Sequence, residues 1–338
     1  NYLVPVIALI MGLVYGVLFR ICFLFKFDFL RLCAIFALSF IHPLGFDWLE
    51  WGIYTAYGFF DSSLRGIICL FLIAYFIYEG SRYYKIAIVL ILFFTGFHYE
   101  EKTATTLPFS YKLINTNISQ DQKFLQEKLI LNSNALLSEI SRAILEKKEL
   151  VILPETAFAF NLRGTKYEDF LKELSHKIII ITGAFYTKDG QTYVFRQGKS
   201  YIFNKHFLVP FGEEIPFFKE LVKKYFLPNM EEFTRGPVQS QYKLNNSLIT
   251  NAICYEATKE QNYKNSKIII ALSNNAWFKH SSEYKLQKLL MQFYANKYGV
   301  SVYHATNGKE NAVILPKKRL DLRWLEEFKS WKENLFKS

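Results

Sequence analysis

Ser247-Leu248-Ile249-Thr250-Asn251-Ala252-Ile253-Cys254-Tyr255-Glu256 is a largely apolar run that stops at a cysteine, an aromatic and a carboxylate. The run reads as a buried strand, so Cys254 stands where a strand ends and a helical turn begins. Such a junction exposes a nucleophile on a rigid support, with the backbone N–H groups of the following turn facing the reacting atom. Cys254 is also the only cysteine after Cys69. With no disulfide partner it is either inert packing or a reactive thiol.

The segments around this run alternate in the same way. Lys267 to Leu272 reads as a further buried strand, and Tyr284 to Tyr298 as an amphipathic helix carried by Leu286, Leu289, Leu290, Phe293 and Tyr294. Upstream, Tyr111 to Asn115, Glu149 to Leu153 and Ile178 to Thr182 read as strands. Asp121 to Lys147 reads as one long helix with Leu125, Leu129, Leu136, Leu137, Ile140 and Ile144 on one face. Tyr193–Phe195 and Ser200–Phe203 suit a hairpin around Gly198. Short β-branched strands between long helices predict an α/β domain.

Residues 1–99 are of another kind. They carry a net charge of +1, against +10 for the rest of the 338-residue chain. Four apolar runs, Tyr2–Phe19, Phe29–Leu44, Leu64–Tyr78 and Tyr84–Phe97, predict a membrane α-helical bundle of about four spans. Arg20, Lys26 and Arg31 follow the first run, and Arg82 and Lys85 separate the third and fourth. Asp47, Glu50 and Asp61 lie between the second and third. By the positive-inside rule the first and third turns are cytoplasmic, and everything after residue 100 faces the periplasm or exterior. The basic remainder suits an anionic lipid surface, and no nucleic-acid motif is present. The chain opens at Asn1 with no charged leader, as a fragment would. The expected division is a bundle over 1–99, a linker over 100–110, a catalytic domain over 111–312 and a divergent charged tail over 313–338.

Three places share one design, a buried strand with a polar residue just past its carboxyl end, where sites collect in α/β sheets. Glu155 follows Val151-Ile152-Leu153-Pro154. Lys205 interrupts the apolar stretch from Tyr201 to Gly212. Cys254 is the third. A carboxylate can take the thiol proton, and a lysine can lower the thiol pKa and stabilise an oxyanion. Taken singly, Glu155 also reads as a solvated loop acid and Lys205 as a surface charge. Between lysine and cysteine, Pro216 to Leu227 carries Phe217, Phe218, Leu221, Val222, Tyr225 and Phe226 beside Lys219, Lys223 and Lys224. It reads equally as a membrane-touching arm or as an ordinary packed helix.

Four ordered blocks resemble the nitrilase, or carbon–nitrogen hydrolase, superfamily, and within it the apolipoprotein N-acyltransferases. They are Leu153-Pro154-Glu155-Thr156-Ala157, the stretch Asn204 to Pro216 that begins Asn204-Lys205-His206-Phe207, Ile253-Cys254-Tyr255-Glu256, and Leu272-Ser273-Asn274-Asn275-Ala276-Trp277-Phe278. The resemblance implies a nitrilase-like α-β-β-α sandwich beside the bundle. It implies Glu155 as general base, Lys205 as oxyanion and thiolate stabiliser and Cys254 as nucleophile, with Glu213, Tyr255 and Glu256 in support. Asn117, Phe124, Phe217, Phe218, Asn274 and Trp277 become candidate substrate contacts.

The reaction implied is ping-pong. An acyl group passes from a phosphatidylethanolamine-like phospholipid to the cysteine, then to the α-amine of a diacylglyceryl-cysteine on an apolipoprotein. The resemblance implies no metal or cofactor, a monomer, and a place in the bacterial inner membrane with the catalytic domain in the periplasm. The chain departs from the family pattern at Phe124, where tryptophan is usual, at Asn275 for aspartate, at Lys279 for glycine and at His304 for arginine. The match fails after Gly308. Two other readings stand beside this one: a nitrilase-type amidase acting on a small amide, and a catalytically inactive membrane remnant truncated at both ends.

Overall fold

The computed structural model describes residues 3–42, 49–78, 83–186, 189–228, 230, 232–238, 240–278 and 281–318. The expectations for Asp47, Arg82, Lys279 and the tail beyond residue 318 fall outside them. The chain forms two compact units. One comprises Asn1–Lys102, Ile215–Met230 and Lys317–Ser338; the other comprises Thr103–Glu214 and Glu231–Pro316.

The first unit is helical. Helices α1 (Leu3–Cys22), α2 (Asp28–Ala37), α3 (Leu64–Tyr78) and α4 (Tyr83–Gly96) stand where four spans are predicted. The second is shorter than expected, because the α-helix gives way at Ala37 to a tighter turn over Leu38–Phe40. Among the described residues no helix is long and apolar enough to cross a membrane. Helices α2, α3 and α4, of 10, 15 and 14 residues, fall short of the roughly 20 that a span requires. Four apolar helices thus occupy the places of the four expected spans, three of them shorter than a span. Where α3 and α4 meet, Gly96 lets the backbone approach Cys69 so closely that a Cβ would stand 2.6 Å from the Cys69 Cβ. Phe59, Phe60, Phe93 and Phe97 pack ring against ring beside this contact. At its polar edge His98 Nδ1 lies 3.0 Å from Asp61 Oδ2, and the buried Lys317 donates to the carbonyls of Thr55 and Phe60.

The second unit is the predicted α-β-β-α sandwich. Its first sheet joins β1 (Tyr111–Leu113), β2 (Leu150–Ile152), β3 (Phe158–Asn161), β4 (Ile179–Tyr186), β5 (Asp189–Arg196) and β6 (Lys199–Asn204). Strands β1, β2 and β4 run parallel, and β4, β5 and β6 antiparallel. The β5–β6 turn at Gln197-Gly198 has φ of 49° and 74°, the left-handed pair that a two-residue hairpin requires. The second sheet has the order β11 (Ala312–Ile314), β10 (Ser301–Asn307), β9 (Ile268–Asn274), β8 (Ser247–Ile253) and β7 (Gln241–Leu244). Its central three strands are parallel.

The inner strands β2, β8 and β9 are largely apolar because both faces of their sheets are covered, whereas the edge strand β6 is partly exposed. In β2, Leu150 and Ile152 point between the sheets, where they meet Ile249, Ile268, Ile270 and Tyr303. Val151 points the other way, against Leu136, Ile140 and Ala143 of a helix. That helix, predicted as one piece, is two: α5 (Gln120–Lys123) and α6 (Gln126–Leu145). Leu125 has the extended φ and ψ of −67° and 126° that separate them. Helix α7 (Lys166–Leu174) covers the same face, and α9 (Glu283–Tyr298) packs beside the second sheet with Leu290, Met291, Phe293 and Tyr294 buried.

Gly183, in the middle of β4, lies under the loop that follows β2. A Cβ there would stand 2.5 Å from Thr156 N, 2.6 Å from Glu155 Cα and 2.8 Å from Pro154 O. Backbone on all three sides leaves no flexible group to yield. Gly183→Ala is therefore expected to cost about 1–3 kcal/mol of overpacking and to lower the melting temperature by several degrees, read by circular dichroism.

Candidate active site

Strands β2, β6 and β8 deliver their next residues to one place. Glu155 lies three residues past β2, Lys205 follows β6 and Cys254 follows β8. Cys254 has φ of 52°, in the left-handed region, and opens a tight helical turn over Cys254–Thr258. Thr156, beside Glu155, has φ of 48°, and Phe211, two residues before Glu213, has φ of 60°. Non-glycine residues held in this region cost about 1–3 kcal/mol each and cluster at functional sites.

The charged groups are interlocked. Lys205 Nζ donates to Glu213 Oε1 at 2.7 Å, and Glu213 Oε2 accepts from the Val209 N–H at 2.8 Å. Glu155 Oε2 accepts from the Asn274 N–H at 2.8 Å, and the Glu155 carboxyl group acts electrostatically on the Cys254 thiol. Glu256 accepts three backbone N–H groups: Ile253 at 2.8 Å, His206 at 2.7 Å and Phe207 at 3.2 Å. Helix α9 adds Gln287, which donates to the Cys254 carbonyl at 3.3 Å and accepts from Asn275 Nδ2 at 3.2 Å.

Burial pushes the Glu155 carboxyl above its usual range; Lys205 and Lys123 oppose the rise, and Glu213 adds to it. Burial also pushes the Cys254 thiol well up, reinforced by the Glu155 charge and opposed by Lys205. Burial alone would pull Lys205 down, but Glu213, Cys254 and Glu155 more than offset it, so the ammonium is held above its usual range. The arrangement sets a buried thiol and a carboxyl group that acts on it beside a lysine whose charged form is favoured. That set can move one proton from sulfur to carboxylate and place positive charge beside a developing oxyanion.

The structure brings Glu155, Lys205, Cys254, Glu213 and Glu256 together. Tyr255 lies on the turn after the nucleophile, with Lys259 Nζ 4.1 Å from its ring centre. Asn274 is buried, its side chain engaged by Gln120 at 2.9 Å and Asn307 at 2.7 Å, so it acts on Glu155 through its backbone. Asn117 is exposed, Phe124 is exposed with its ring 5.8 Å from that of Phe185, and Trp277 is exposed on the turn Asn275–Phe278. Phe217 and Phe218 belong to the helical unit, just before the short helix α8 (Lys219–Tyr225). Phe218, Leu221, Tyr225 and Phe226 are all exposed there, as the arm reading expects of an apolar stripe.

Two residues escaped the sequence reading. Asn307 ties β10 to Thr116 and Ile118 as well as to Asn274. Its signal lay in the His304–Gly308 motif. Lys123 is buried and donates to the Glu155 carbonyl at 3.2 Å. His304, at the arginine position of the family pattern, is a buried imidazole 2.8 Å from Ser273 Oγ, and burial pulls its pKa down to about 4. Among the described residues no group of three or more His, Cys, Asp or Glu side chains is placed to hold a metal ion.

Residues 1–97 match a family model described as the apolipoprotein N-acyltransferase integral membrane domain. An apolipoprotein N-acyltransferase of Campylobacter jejuni is 74% identical over 330 residues, covering 96% of this chain and 75% of the relative. That of Wolinella succinogenes is 35% identical, covering 94% and 79%, and that of Helicobacter pylori 32% identical, covering 94% and 77%. A carbon–nitrogen hydrolase superfamily structure from Xanthomonas campestris superposes with a TM-score of 0.45 at 12% identity, covering 69% of this chain and 98% of its own. With three quarters of its Campylobacter relative spanned at that identity, the chain belongs to the apolipoprotein N-acyltransferase family.

Proposed function

We propose that the protein moves an acyl chain from a membrane phospholipid, through a thioester on Cys254, to the α-amine of a diacylglyceryl-cysteine at the N-terminus of an apolipoprotein. The observation that carries the reading is the convergence of Glu155, Lys205 and Cys254 at strand ends, with Lys205 fixed by Glu213 and Glu155 by Asn274. The family places the chain among acyltransferases of lipoprotein maturation. The small-amide and inactive-remnant readings are not favoured.

In the first half-reaction Glu155 takes the Cys254 proton as sulfur attacks the ester carbonyl. The C–S bond forms, and negative charge gathers on the carbonyl oxygen beside the Lys205 ammonium. As the intermediate collapses the C–O bond breaks. Glu155 returns the proton to the glyceryl oxygen, and a lysophospholipid leaves. In the second half the neutral α-amine attacks the thioester and gives its proton to Glu155. The C–S bond breaks, and the proton returns to sulfur. Lys205 keeps its charge throughout, as its pairing with Glu213 favours.

The protein is a membrane protein, with residues 1–97 matching an integral membrane domain. The bacterial inner membrane with the catalytic unit on the periplasmic side is the arrangement that the basic turn at Arg20, Lys26 and Arg31 favours. Phosphatidylethanolamine is the donor expected. A monomer is the state expected from the family resemblance.

Two outcomes are expected. Detergent-extracted protein incubated with phosphatidylethanolamine gains one acyl mass, read by intact mass spectrometry, while Cys254→Ala gains none. Adding a diacylglyceryl-cysteinyl peptide removes that mass and acylates the peptide; an adduct that water alone discharges at the same rate would argue against transfer. Glu155→Gln is expected to slow formation of the adduct roughly 10²–10⁴-fold with the circular dichroism spectrum unchanged, because the general base is lost.

A further inference from the structure

Lys123 is 2% exposed, and it lies at the end of α5, where the chain breaks before α6. A buried ammonium is costly unless something nearby compensates it. Its Nζ donates to the backbone carbonyl of Glu155 at 3.2 Å. Its charge also acts on the Glu155 carboxyl, and Glu155 and Cys254 act on it in turn. The loop that carries Glu155 is thus held at three points. Gly183 N–H donates to Pro154 O at 3.1 Å, Lys123 holds Glu155 O, and Asn274 N–H holds Glu155 Oε2.

The charges around this loop explain why an amine belongs there. Three buried or nearly buried carboxyl groups converge: Glu155, Glu213 and Glu256. Glu256 is served by backbone N–H groups from Ile253, His206 and Phe207. Glu213 takes the Lys205 ammonium at 2.7 Å. Glu155 is left with one backbone N–H, a share of the Lys205 field, and the repulsion of Glu213. A proton acceptor must rest ionised, and Lys123 supplies the further positive charge that keeps it so. Burial pulls the Lys123 ammonium down to about 8, so it remains charged at neutral pH.

We infer that Lys123 is a positioning residue for the acylation reaction, an internal cation that fixes the Glu155 loop through its carbonyl and keeps the Glu155 carboxyl ionised to receive the Cys254 proton. The inference rests on reading Glu155 as the base for that thiol.

The test needs no lipid, so it stands apart from the identity of the donor. The detergent-solubilised full chain is alkylated with iodoacetamide across about pH 5–9, where buried carboxyl and thiol groups titrate. Peptide mass separates Cys254 from Cys22, Cys33 and Cys69. In the parent, ionisation of Glu155 sets the acid limb of Cys254 labelling. Lys123→Met is expected to move that limb up by about one pH unit, a roughly tenfold loss of rate on the limb at fixed pH. Lys123→Gln keeps a donor for the Glu155 carbonyl without the charge, and it is expected to show the same displaced limb. Lys123→Arg restores the parent position. A limb unmoved in both neutral variants overturns the inference. So does a limb displaced in Lys123→Met but not in Lys123→Gln, since the hydrogen bond alone would then be responsible. Glu155→Gln is the control: labelling with the parent's pH profile would remove Glu155 as the base, and the inference with it.

Discussion

The Glu256 carboxylate holds two distant pieces of chain in register. One oxygen takes the N–H groups of His206 and Phe207; the other takes that of Ile253, at the end of the strand that presents Cys254. An ionised group accepting three backbone donors has most of its lone pairs filled, which is how a buried carboxylate survives without a cation in direct contact. The consequence is geometric. Lys205 immediately precedes His206, and Cys254 immediately follows Ile253, so the carboxylate sets the spacing between stabiliser and nucleophile without touching either. Glu213 does the corresponding work on the lysine side, with one oxygen on Nζ and the other on the Val209 N–H.

This framework lets the site tolerate conformations that a free chain avoids. The left-handed residues Thr156, Phe211 and Cys254 stand beside or near the groups they serve, and the backbones of Phe211 and Cys254 are themselves hydrogen-bonded. For Cys254 the supports are the strand on one side and Gln287 on its own carbonyl. The local cost of these turns is met by the packed sheets beneath, whose inner strands are buried on both faces.

Lys205 was legible from the resemblance carried by its block, since β6 before it is partly exposed, and Glu155 and Cys254 were legible because each follows a largely buried apolar run, past which a polar residue has few structural reasons to be there. Lys123 was not. Leucines at three-to-four spacing made residues 121–147 read as one helix, in which Lys123 carried no signal of its own. The break at Phe124-Leu125 involves neither glycine nor proline, so only tertiary packing reveals that the lysine turns inward. Strand β10 was hidden for the opposite reason: Ser301, Thr306 and Asn307 are polar yet wholly buried, and the Asn307 side chain meets its partners Thr116 and Ile118 across the fold. Helix α7 did carry a signal that went unread, since Thr165 and Glu168 have capping-box spacing and the Glu168 N–H does meet Thr165 Oγ1. The apolar N-terminal runs marked the places of the helices closely, except that the second overstated its reach, because hydropathy does not mark where a helix stops, as α2 does at Ala37.

Glu155 and Lys205 hang from the first sheet, Cys254 and Asn274 from the second. Neither sheet alone holds a working set, and the layer of Ile152, Ile181, Ile249 and Ile270 between them determines how the two halves meet. The chemistry is thus a property of the seam. A half-formed or slipped sandwich would carry a cysteine with neither base nor counter-ion. The base and counter-ion of Cys254 are therefore complete only where the two sheets have met.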